Sequence, residues 1–303
     1  MGRRFDTLQF PGGKTKAFTL SYDDGVIQDR RLAELFRKYG AKATFNLNSG
    51  LLGLDRRGGY PGKPDLDIST LAPEELKTVY AGHEIAGHGL YHCGLNTVGG
   101  PLGVYEIAED KRRLEAYVGR PLRMFAYPFG KWGKDTIETL RLCGYQGART
   151  VRSTYGFDIP EDFLEWDPTC HHNDPKLMEL AQSFVDSPFP FPQLFYVWGH
   201  GYEFDDCDNW ERMEELLSFL APHREKIWFA TNGEILEYVQ AYRRLEYSMD
   251  GSAIYNPSAL DVCICPDMGR PALVLKAKEL PSGSFVVLRF SRIQHWLPIR
   301  TVE

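Results

Sequence analysis

Short apolar runs alternate with amphipathic segments over most of the chain. Residues 16–22 predict a strand because apolar side chains recur at every second position, and residues 29–39 predict a helix that Gly40 ends. The same pattern predicts strands at 43–47, 84–88, 122–127, 146–150, 163–167, 194–199 and 226–230, and helices at 73–82, 103–118, 134–143, 175–185, 210–220 and 233–245. Alternation of this kind predicts a parallel sheet, and this many units indicate a closed α/β barrel.

Two segments depart from this alternation. Residues 49–67 form a loop rich in glycine and proline that is long enough for a binding or lid role. From about residue 247 the helical period ends, and strand-like runs (SAIY, LDVCIC, ALVLKA, SFVVLRF) predict a small antiparallel β module. We therefore expect a barrel domain over residues 1–245, with residues 246–303 packed on it as the β module.

The composition is typical of a soluble globular enzyme, with 43% hydrophobic and 25% charged residues among 303. A formal net charge of −6 argues against a nucleic acid partner, since phosphate binding needs clustered lysine and arginine. Six scattered cysteines form no CxxC pair and indicate reduced thiols. The longest uncharged stretch, residues 187–202, contains prolines and cannot span a membrane as a helix. With no apolar signal segment, we expect a cytoplasmic protein, and the composition allows a homo-oligomer.

Two adjacent carboxylates, Asp23 and Asp24, follow the first predicted strand. Successive side chains of an extended chain point apart, so one carboxylate can bind a metal while the other faces a substrate. His88 and His92 follow the third strand, and they can meet one metal ion if the segment between them forms a helical turn. With one of the carboxylates they would form a two-histidine, one-carboxylate site. The competing interpretations are a solvated turn and a surface or core-edge histidine pair.

Two further motifs follow predicted strands, at the end where a β/α barrel carries its active site. The turn Ala-Tyr-Pro-Phe-Gly exposes the backbone amide of Phe129, which could donate to a developing oxyanion. His200 lies between glycines after an apolar strand and suits a general acid. An aromatic turn and a structural histidine are the competing interpretations. Among the nearby aromatic residues, we take Tyr91, Tyr127 and Trp198 as candidates for binding a sugar ring.

The order of these four motifs, with the run GHEIAGH at the histidine pair, resembles the polysaccharide deacetylases (carbohydrate esterase family 4, the NodB homology domain) over about residues 16–235. The resemblance implies a distorted (β/α) barrel of about seven or eight parallel strands. It also implies roles for six residues: the divalent metal ligands Asp24, His88 and His92, with zinc the most frequent metal; the general base Asp23; the general acid His200; and the oxyanion-stabilising amide of Phe129.

The sequence departs from that family at several positions, including Ser21 and Gly89, and two of the departures bear on the catalytic groups. Ala126 stands where many relatives have an arginine that pairs with the catalytic aspartate, and Arg123 and Arg152 are the candidate replacements. The motif that supports the catalytic histidine has only a Glu-Trp-Asp sequence as its nearest match, just before His171 and His172. The roles of these two histidines stay open, between contacts near the site and a solvent-facing turn.

The leading functional hypothesis is a metal-dependent hydrolase that removes acetyl groups from an N-acetylated sugar or saccharide. Without an export signal, a soluble oligosaccharide or small N-acetyl compound is the expected substrate. One alternative is hydrolysis of another C–N bond, in a cyclic imide or ureide, on the same fold. The other is an inactive carbohydrate-binding protein, against which the joint presence of Asp23, His200 and the three candidate ligands argues.

Overall fold

The computed structural model describes residues 7–58, 61–250, 253–266, 271–277 and 285–287. The strands are β1 (Thr7–Gln9), β2 (Lys16–Asp23), β3 (Ala43–Leu47), β4 (Glu84–Gly87), β5 (Met124–Ala126), β6 (Gly147–Arg149), β7 (Cys170–His171), β8 (Gln193–His200), β9 (Ile227–Phe229), β10 (Glu246–Tyr247), β11 (Ala253–Tyr255), β12 (Val262–Cys265), β13 (Leu273–Leu275) and β14 (Phe285–Val287). The helices are α1 (Asp29–Tyr39), α2 (Leu76–Val79), α3 (Pro101–Val118), α4 (Lys134–Leu142), α5 (Leu177–Asp186), α6 (Glu203–Asp206), α7 (Trp210–Leu220) and α8 (Asn232–Arg243).

Eight parallel strands form a curled central sheet. Seven run in the order β6, β5, β4, β3, β2, β8, β7, and β9 pairs with the start of β2. All residues of β2 are buried, because a central strand of a parallel sheet is covered on both faces. The register places Asp23 beside Asn46 of β3 and His200 of β8. The predicted α/β fold, a distorted barrel of parallel strands, is confirmed.

The segment around Trp166 brings the two edges of this sheet together. The backbone N–H of Trp166 donates to Ala148, and its carbonyl accepts from Thr150, so it pairs with β6 shortly before β7 pairs with β8. The predicted strand 163–167 is wrong, since Phe163–Glu165 is a 3-10 turn and the strand follows as β7. Its apolar pattern arises because these side chains fill the core without forming a strand ladder.

Two three-stranded antiparallel sheets lie beside the central sheet, in the orders β1–β12–β13 and β10–β11–β14. The predicted runs of antiparallel strands are therefore present, and the N-terminal strand β1 unexpectedly joins them. Ile254, Val262 and Ile264 pack against Ala241 and Leu245 at the end of the last helix. The domain boundary at 245 stays a prediction, and parts of the predicted module (251–252, 267–270, 278–284 and 288–303) lie outside the described residues.

Helices cover the outside of the central sheet with their apolar faces. The helix α1 buries Leu32, Ala33 and Phe36 and ends at Gly40, whose positive φ of 57° lets its amide close the last turn on Arg37. The predicted helix 73–82 is shorter, because only α2 and the 3-10 turn before it are helical. Among the helices of the described ranges, none combines the length and apolar composition that a membrane span requires.

Candidate active site

The carboxylate of Asp23 lies at the C-terminal end of β2, buried among polar partners. Asn46 donates from Nδ2 to Oδ1 of Asp23 at 2.8 Å, and the buried guanidinium of Arg149 on β6 pairs with Oδ2. Burial alone would raise the pKa of Asp23, but the charges of Arg149, His88 and His200 and the Asn46 hydrogen bond lower it to about 2. Asp23 is therefore ionised at neutral pH, as a proton acceptor must be.

Asp24, His88 and His92 bring three metal-ligating atoms to within 4.8 Å of one another. Nε2 of His88 lies 3.7 Å and Nε2 of His92 lies 3.6 Å from Oδ1 of Asp24. Asp24 has a φ of 76°, so the chain turns sharply directly after β2. A positive φ is uncommon for a residue other than glycine and often marks a functional position.

The segment between the two histidines is a loop and not the helical turn that would bring them together by spacing alone. Gly89 and His92 have φ values of 79° and 56°, which a right-handed helix excludes. Asn48 donates from Nδ2 to the carbonyls of His88 at 2.6 Å and Gly89 at 2.7 Å, and Asp110 accepts the N–H of His88 at 3.2 Å. These contacts with neighbouring elements hold the loop in the conformation that joins the imidazoles.

The donor set fits a divalent metal ion. Nδ1 of His88 lies 2.8 Å from the carbonyl oxygen of Ala126, so Nδ1 carries the proton and Nε2 keeps its lone pair toward Asp24. Among the described residues this buried Nε2 has no hydrogen-bond partner, and such an atom is costly unless a ligand satisfies it. Burial lowers the pKa of His88 to about 4, and the neutral ring is the form that binds a metal. One carboxylate and two imidazoles are typical zinc ligands.

His200 faces Asp23, with its Nε2 3.9 Å from Oδ2 of that carboxylate. Nδ1 of His200 lies 3.3 Å from Oε1 of Glu203, while Oε2 of Glu203 accepts the backbone N–H of His200 at 3.0 Å. Burial lowers the pKa of His200, but Glu203, Asp24 and Asp23 outweigh burial and raise it to about 9. The ring is therefore protonated at neutral pH, the state that a general acid needs.

The carboxylate of Glu203 also lies close to His171 and His172, the two histidines whose roles the sequence leaves open. Nε2 of His171 and Nε2 of His172 lie 3.0 and 3.3 Å from its Oε2. The three residues are close enough to hold a metal, but the N–H of Asn173 donates to Nδ1 of His171 at 3.1 Å. A neutral His171 then carries its proton on Nε2 and donates to Glu203, which does not suit a metal ligand.

A cavity of about 520 Å³ opens over these groups. Its lining includes Asp23, Asp24, His88, His92 and His200. Phe129 stands at its rim with 62% of its surface exposed and a φ of 58°, and its ring lies 4.4 Å from that of His92. The six residues that the resemblance assigns to chemistry thus surround one pocket, although they come from four separate strand ends.

The three candidate sugar-binding aromatics differ in what they expose. Tyr91 is 50% exposed at the pocket, and Trp198 is half-buried in its wall, with the Arg149 guanidinium 4.3 Å from its ring. Tyr127 contributes to the lining, but its side chain is buried and its hydroxyl donates to the carbonyl of Leu164 at 2.7 Å. Tyr91 and Trp198 therefore offer ring surface to a ligand, whereas the Tyr127 side chain packs in the core.

Residues 11–148, which include the first carboxylates, the histidine pair and the Phe129 turn, match the family described as polysaccharide deacetylase. This region of the chain is therefore similar to the polysaccharide deacetylases. His200 and Glu203 lie beyond the matched residues, so the family match does not cover the acid side of the pocket. Comparison with curated proteins gives no match.

Solved structures are similar to this chain at low sequence identity, and the first of the following three shares its fold. A putative polysaccharide deacetylase from Mycobacterium smegmatis is 17% identical over 78% of this chain and 94% of its own, with a TM-score of 0.53. A Streptococcus pyogenes deacetylase in complex with acetate is 20% identical over 44% and 55%, with a TM-score of 0.37. A family 4 pseudoenzyme from Bacillus anthracis is 18% identical over 73% and 66%, with a TM-score of 0.45. The chain spans about half the length of the first solved structures it matches, 55% and 44%.

Arg149 pairs with Asp23, which is the contact that the resemblance to the polysaccharide deacetylases leads us to expect from an arginine at the position of Ala126. Ala126 of β5 and Arg149 of β6 are register partners on neighbouring strands, so an arginine on either strand can approach Asp23. The replacements proposed from sequence are wrong, because Arg123 and Arg152 pair with acidic residues elsewhere. The sequence did contain a signal for Arg149: this charged residue lies inside the predicted strand 146–150, near the sheet edge at which the motif residues also lie.

Two other residues of the site, Asp110 and Asn46, escaped the sequence analysis, and a third, Glu203, follows His200 closely enough that it was a candidate either to cap the next helix or to line the site. Asp110 of α3 is buried and accepts the N–H groups of Ser49 and His88, and burial raises its pKa to about 7. Asn46 holds Asp23 from β3, and Glu203 supports His200 in place of the Glu-Trp-Asp sequence. Asn46 and Asp110 lie on elements distant in sequence from the residues that they support, so no local pattern marks them, whereas Glu203 follows His200 by three positions.

Proposed function

We propose that this protein is a metal-dependent hydrolase that removes the acetyl group from an N-acetylated sugar or saccharide. One observation carries the proposal: the ligand atoms of Asp24, His88 and His92 converge within 4.8 Å beside an ionised Asp23 and a protonated His200, in one pocket. The match of residues 11–148 to the polysaccharide deacetylase family supports the acetylated saccharide as substrate class.

Each residue has a distinct chemical task in this proposal. Asp24, His88 and His92 would hold a divalent cation, with zinc the expected metal, and such a cation supplies Lewis acidity at an acyl carbonyl and acidity at a water molecule. Asp23 accepts the proton of the attacking water at a carboxylate oxygen. Nε2 of His200 donates a proton to the leaving nitrogen, which is a poor leaving group without it.

The surrounding groups keep Asp23 and His200 in these opposite protonation states. Arg149 and Asn46 stabilise the anionic form of Asp23, and Glu203 stabilises the cationic form of His200. The pKa of Asp23 is lowered and that of His200 is raised, so at neutral pH one group can accept a proton while the other can donate one, as general base and general acid catalysis requires. The backbone amide of Phe129 is proposed to donate to the oxyanion from the pocket rim.

The test measures acetate release from N-acetylated chitooligosaccharides and O-acetylated xylan by metal-stripped protein, before and after zinc is restored. Cyclic imides and ureides are assayed in parallel. The variants Asp23→Asn and His200→Ala are compared with Asp135→Asn, an exposed carboxylate on α4. We expect zinc-dependent acetate release that the two site variants lose, by about 10²–10⁴-fold for His200→Ala, and that the control keeps.

Other outcomes separate the alternatives. Turnover of a cyclic amide without acetate release would replace the deacetylase proposal by hydrolysis of another C–N bond. Sugar binding that survives Asp23→Asn, with no turnover of any compound, would support an inactive carbohydrate-binding protein. The cytoplasmic location expected from the sequence is part of the proposal and is tested by fractionation of the source cells.

A further inference from the structure

The loop between β3 and α2 forms one wall of the pocket, to which it contributes Leu51, Arg56, Pro61 and Ile68. Its two arms are joined by hydrogen bonds: the N–H of Thr70 donates to the carbonyl of Leu54, and the N–H of Leu54 donates to Oγ1 of Thr70, both at 3.1 Å. The N–H of Gly53 also donates to the carbonyl of Leu71 at 2.9 Å, and Arg57 and Asp67 form an isolated β-bridge. These contacts hold the backbone of the two arms in one conformation.

Arg56 and Arg57 are adjacent on the first arm and have different surroundings. Arg56 lines the pocket and is partly buried, and its backbone N–H donates to Oγ of Ser69 at 2.9 Å. Arg57 is exposed and pairs with Asp55, with Nε 3.1 Å from Oδ1. One arginine is thus neutralised at the surface, and the other enters the cavity.

The Arg56 guanidinium has no partner among the described residues, where no hydrogen bond or ion pair involves its side chain. It is also the only lysine or arginine that lines this cavity within the described ranges. Apolar side chains, Leu51, Pro61 and Ile68, line the same wall. Beside such groups a charge interacts more strongly with an opposite charge than it does in open water.

The two carboxylates that line the cavity have other partners than the Arg56 guanidinium. Asp23 is paired with Arg149, and Asp24 faces His88 and His92. A guanidinium matches carboxylate and phosphate groups through two parallel N–H donors. An unused arginine in the wall of a catalytic pocket is therefore suited to bind an anionic group of the bound molecule.

We propose that Arg56 selects acetylated saccharides that carry an anionic group, a carboxylate or a phosphate, in addition to the acetylated nitrogen. This inference rests on the proposed function and narrows its substrate class. A cavity of about 520 Å³ lies within the size range of small-ligand pockets, about 300–1,000 Å³. It suits a substrate of one or two sugar units with its anion held by the loop and its acetyl group at the strand ends.

The experiment compares three substrates that share one sugar and one acetamido group: N-acetylglucosamine, N-acetylmuramic acid and N-acetylglucosamine 6-phosphate. kcat/KM for acetate release is measured with zinc-loaded wild type, Arg56→Gln, Arg56→Lys and the matched control Arg57→Gln. We expect the wild type to prefer at least one anionic substrate by about 10- to 100-fold, the gain expected for hydrogen bonds to a charged group. Arg56→Gln should lose this preference, Arg56→Lys should keep part of it, and Arg57→Gln should keep it all.

Binding of the same three compounds is measured by calorimetry on the metal-loaded proteins, so the inference is tested even without turnover. Anion-dependent binding that Arg56→Gln alone loses supports the inference even if no acetate is released, whereas the missing acetate would contradict the proposed function. Acetate release at equal kcat/KM from neutral and anionic sugars would overturn the inference and leave the proposed function standing. Which anion is preferred distinguishes a carboxylate from a phosphate substrate.

Discussion

Arg149 and Asp23 form a buried ion pair across the sheet, although 126 residues separate them along the chain. Both side chains are almost fully inaccessible, at 0% and 3% exposed. The pair lies at the C-terminal edge of the strands, where Asn46 and the Trp198 ring complete the surroundings of the two charges. The pair thus fixes the proposed base in one orientation and one protonation state.

Removing one charge of this pair should destabilise the protein strongly. Arg149→Met leaves the Asp23 carboxylate buried and unpaired, and such a loss costs about 3–5 kcal/mol in the free energy of unfolding. The matched control is Arg123→Met, whose partner Glu237 and own side chain are about half exposed, and it should cost less than about 1 kcal/mol. Urea denaturation at pH 7 measures both variants. Equal losses in the two would contradict the assigned role of Arg149.

The low pKa of Asp23 gives the same pair a pH dependence. Because the folded pKa of about 2 lies below the ordinary value of 3.8, this stabilisation is present above about pH 4 and is lost as pH falls toward 2. Unfolding curves of the wild type and Asp23→Asn, measured between pH 2 and 7, should therefore converge at the acid end. A gap between the two proteins that stays constant with pH would contradict the assignment.

Glu203 should set the alkaline limit of activity through His200. Because Glu203 helps to raise the pKa of His200, Glu203→Gln should lower it, and activity should be lost at lower pH as the proton leaves the acid. Asp23 and Asp24 face His200 in both proteins, so their effect is constant in the comparison. The readout is the pH dependence of kcat/KM, with Glu211→Gln on α7 as the control. An unshifted alkaline limb in Glu203→Gln would leave Glu203 with a structural role only.

Metal content should distinguish the two clusters of potential ligands. His88→Ala removes a proposed ligand, so zinc affinity should fall by more than about 100-fold, beyond the loss typical for an outer-shell partner. His171→Ala removes a residue of the cluster around Glu203 and should keep one bound zinc per chain. Equilibrium dialysis with metal analysis measures both variants. Retention of zinc by His88→Ala together with its loss from His171→Ala would move the metal site to the second cluster.

Tyr91 and Tyr127 should affect different quantities. Tyr91→Ala removes an exposed ring at the pocket, so KM should rise by about 2- to 10-fold with little change in stability. Tyr127→Phe removes a buried hydroxyl and leaves the Leu164 carbonyl without its donor, which should cost about 1–3 kcal/mol of stability and leave KM unchanged. Steady-state kinetics and denaturation of each variant separate the two effects.

The sequence by itself determined the strand–helix alternation and the positions of the chemical motifs. The apolar residues at every second position of β2 and the apolar stripe of α1 are local patterns with characteristic periods, so both elements were predicted within a residue or two. Asp23, Asp24 and the other motif residues follow strands directly, and parallel strands bring such positions to one edge of a sheet. The alternation failed at 163–167 because a buried apolar run can fill a core without pairing as a strand.

Only the tertiary structure decided which distant groups support the motif residues. Arg149 reaches Asp23 because strand register places it beside Ala126, and Glu203 reaches three histidines because α6 begins directly after β8. The histidine pair converges through a loop held by other elements and not through helical spacing. Strand register, loop conformation and most of these charge pairs depend on residues far apart in the chain. They are set by the packing of the folded protein, so no periodic pattern in the sequence predicts them.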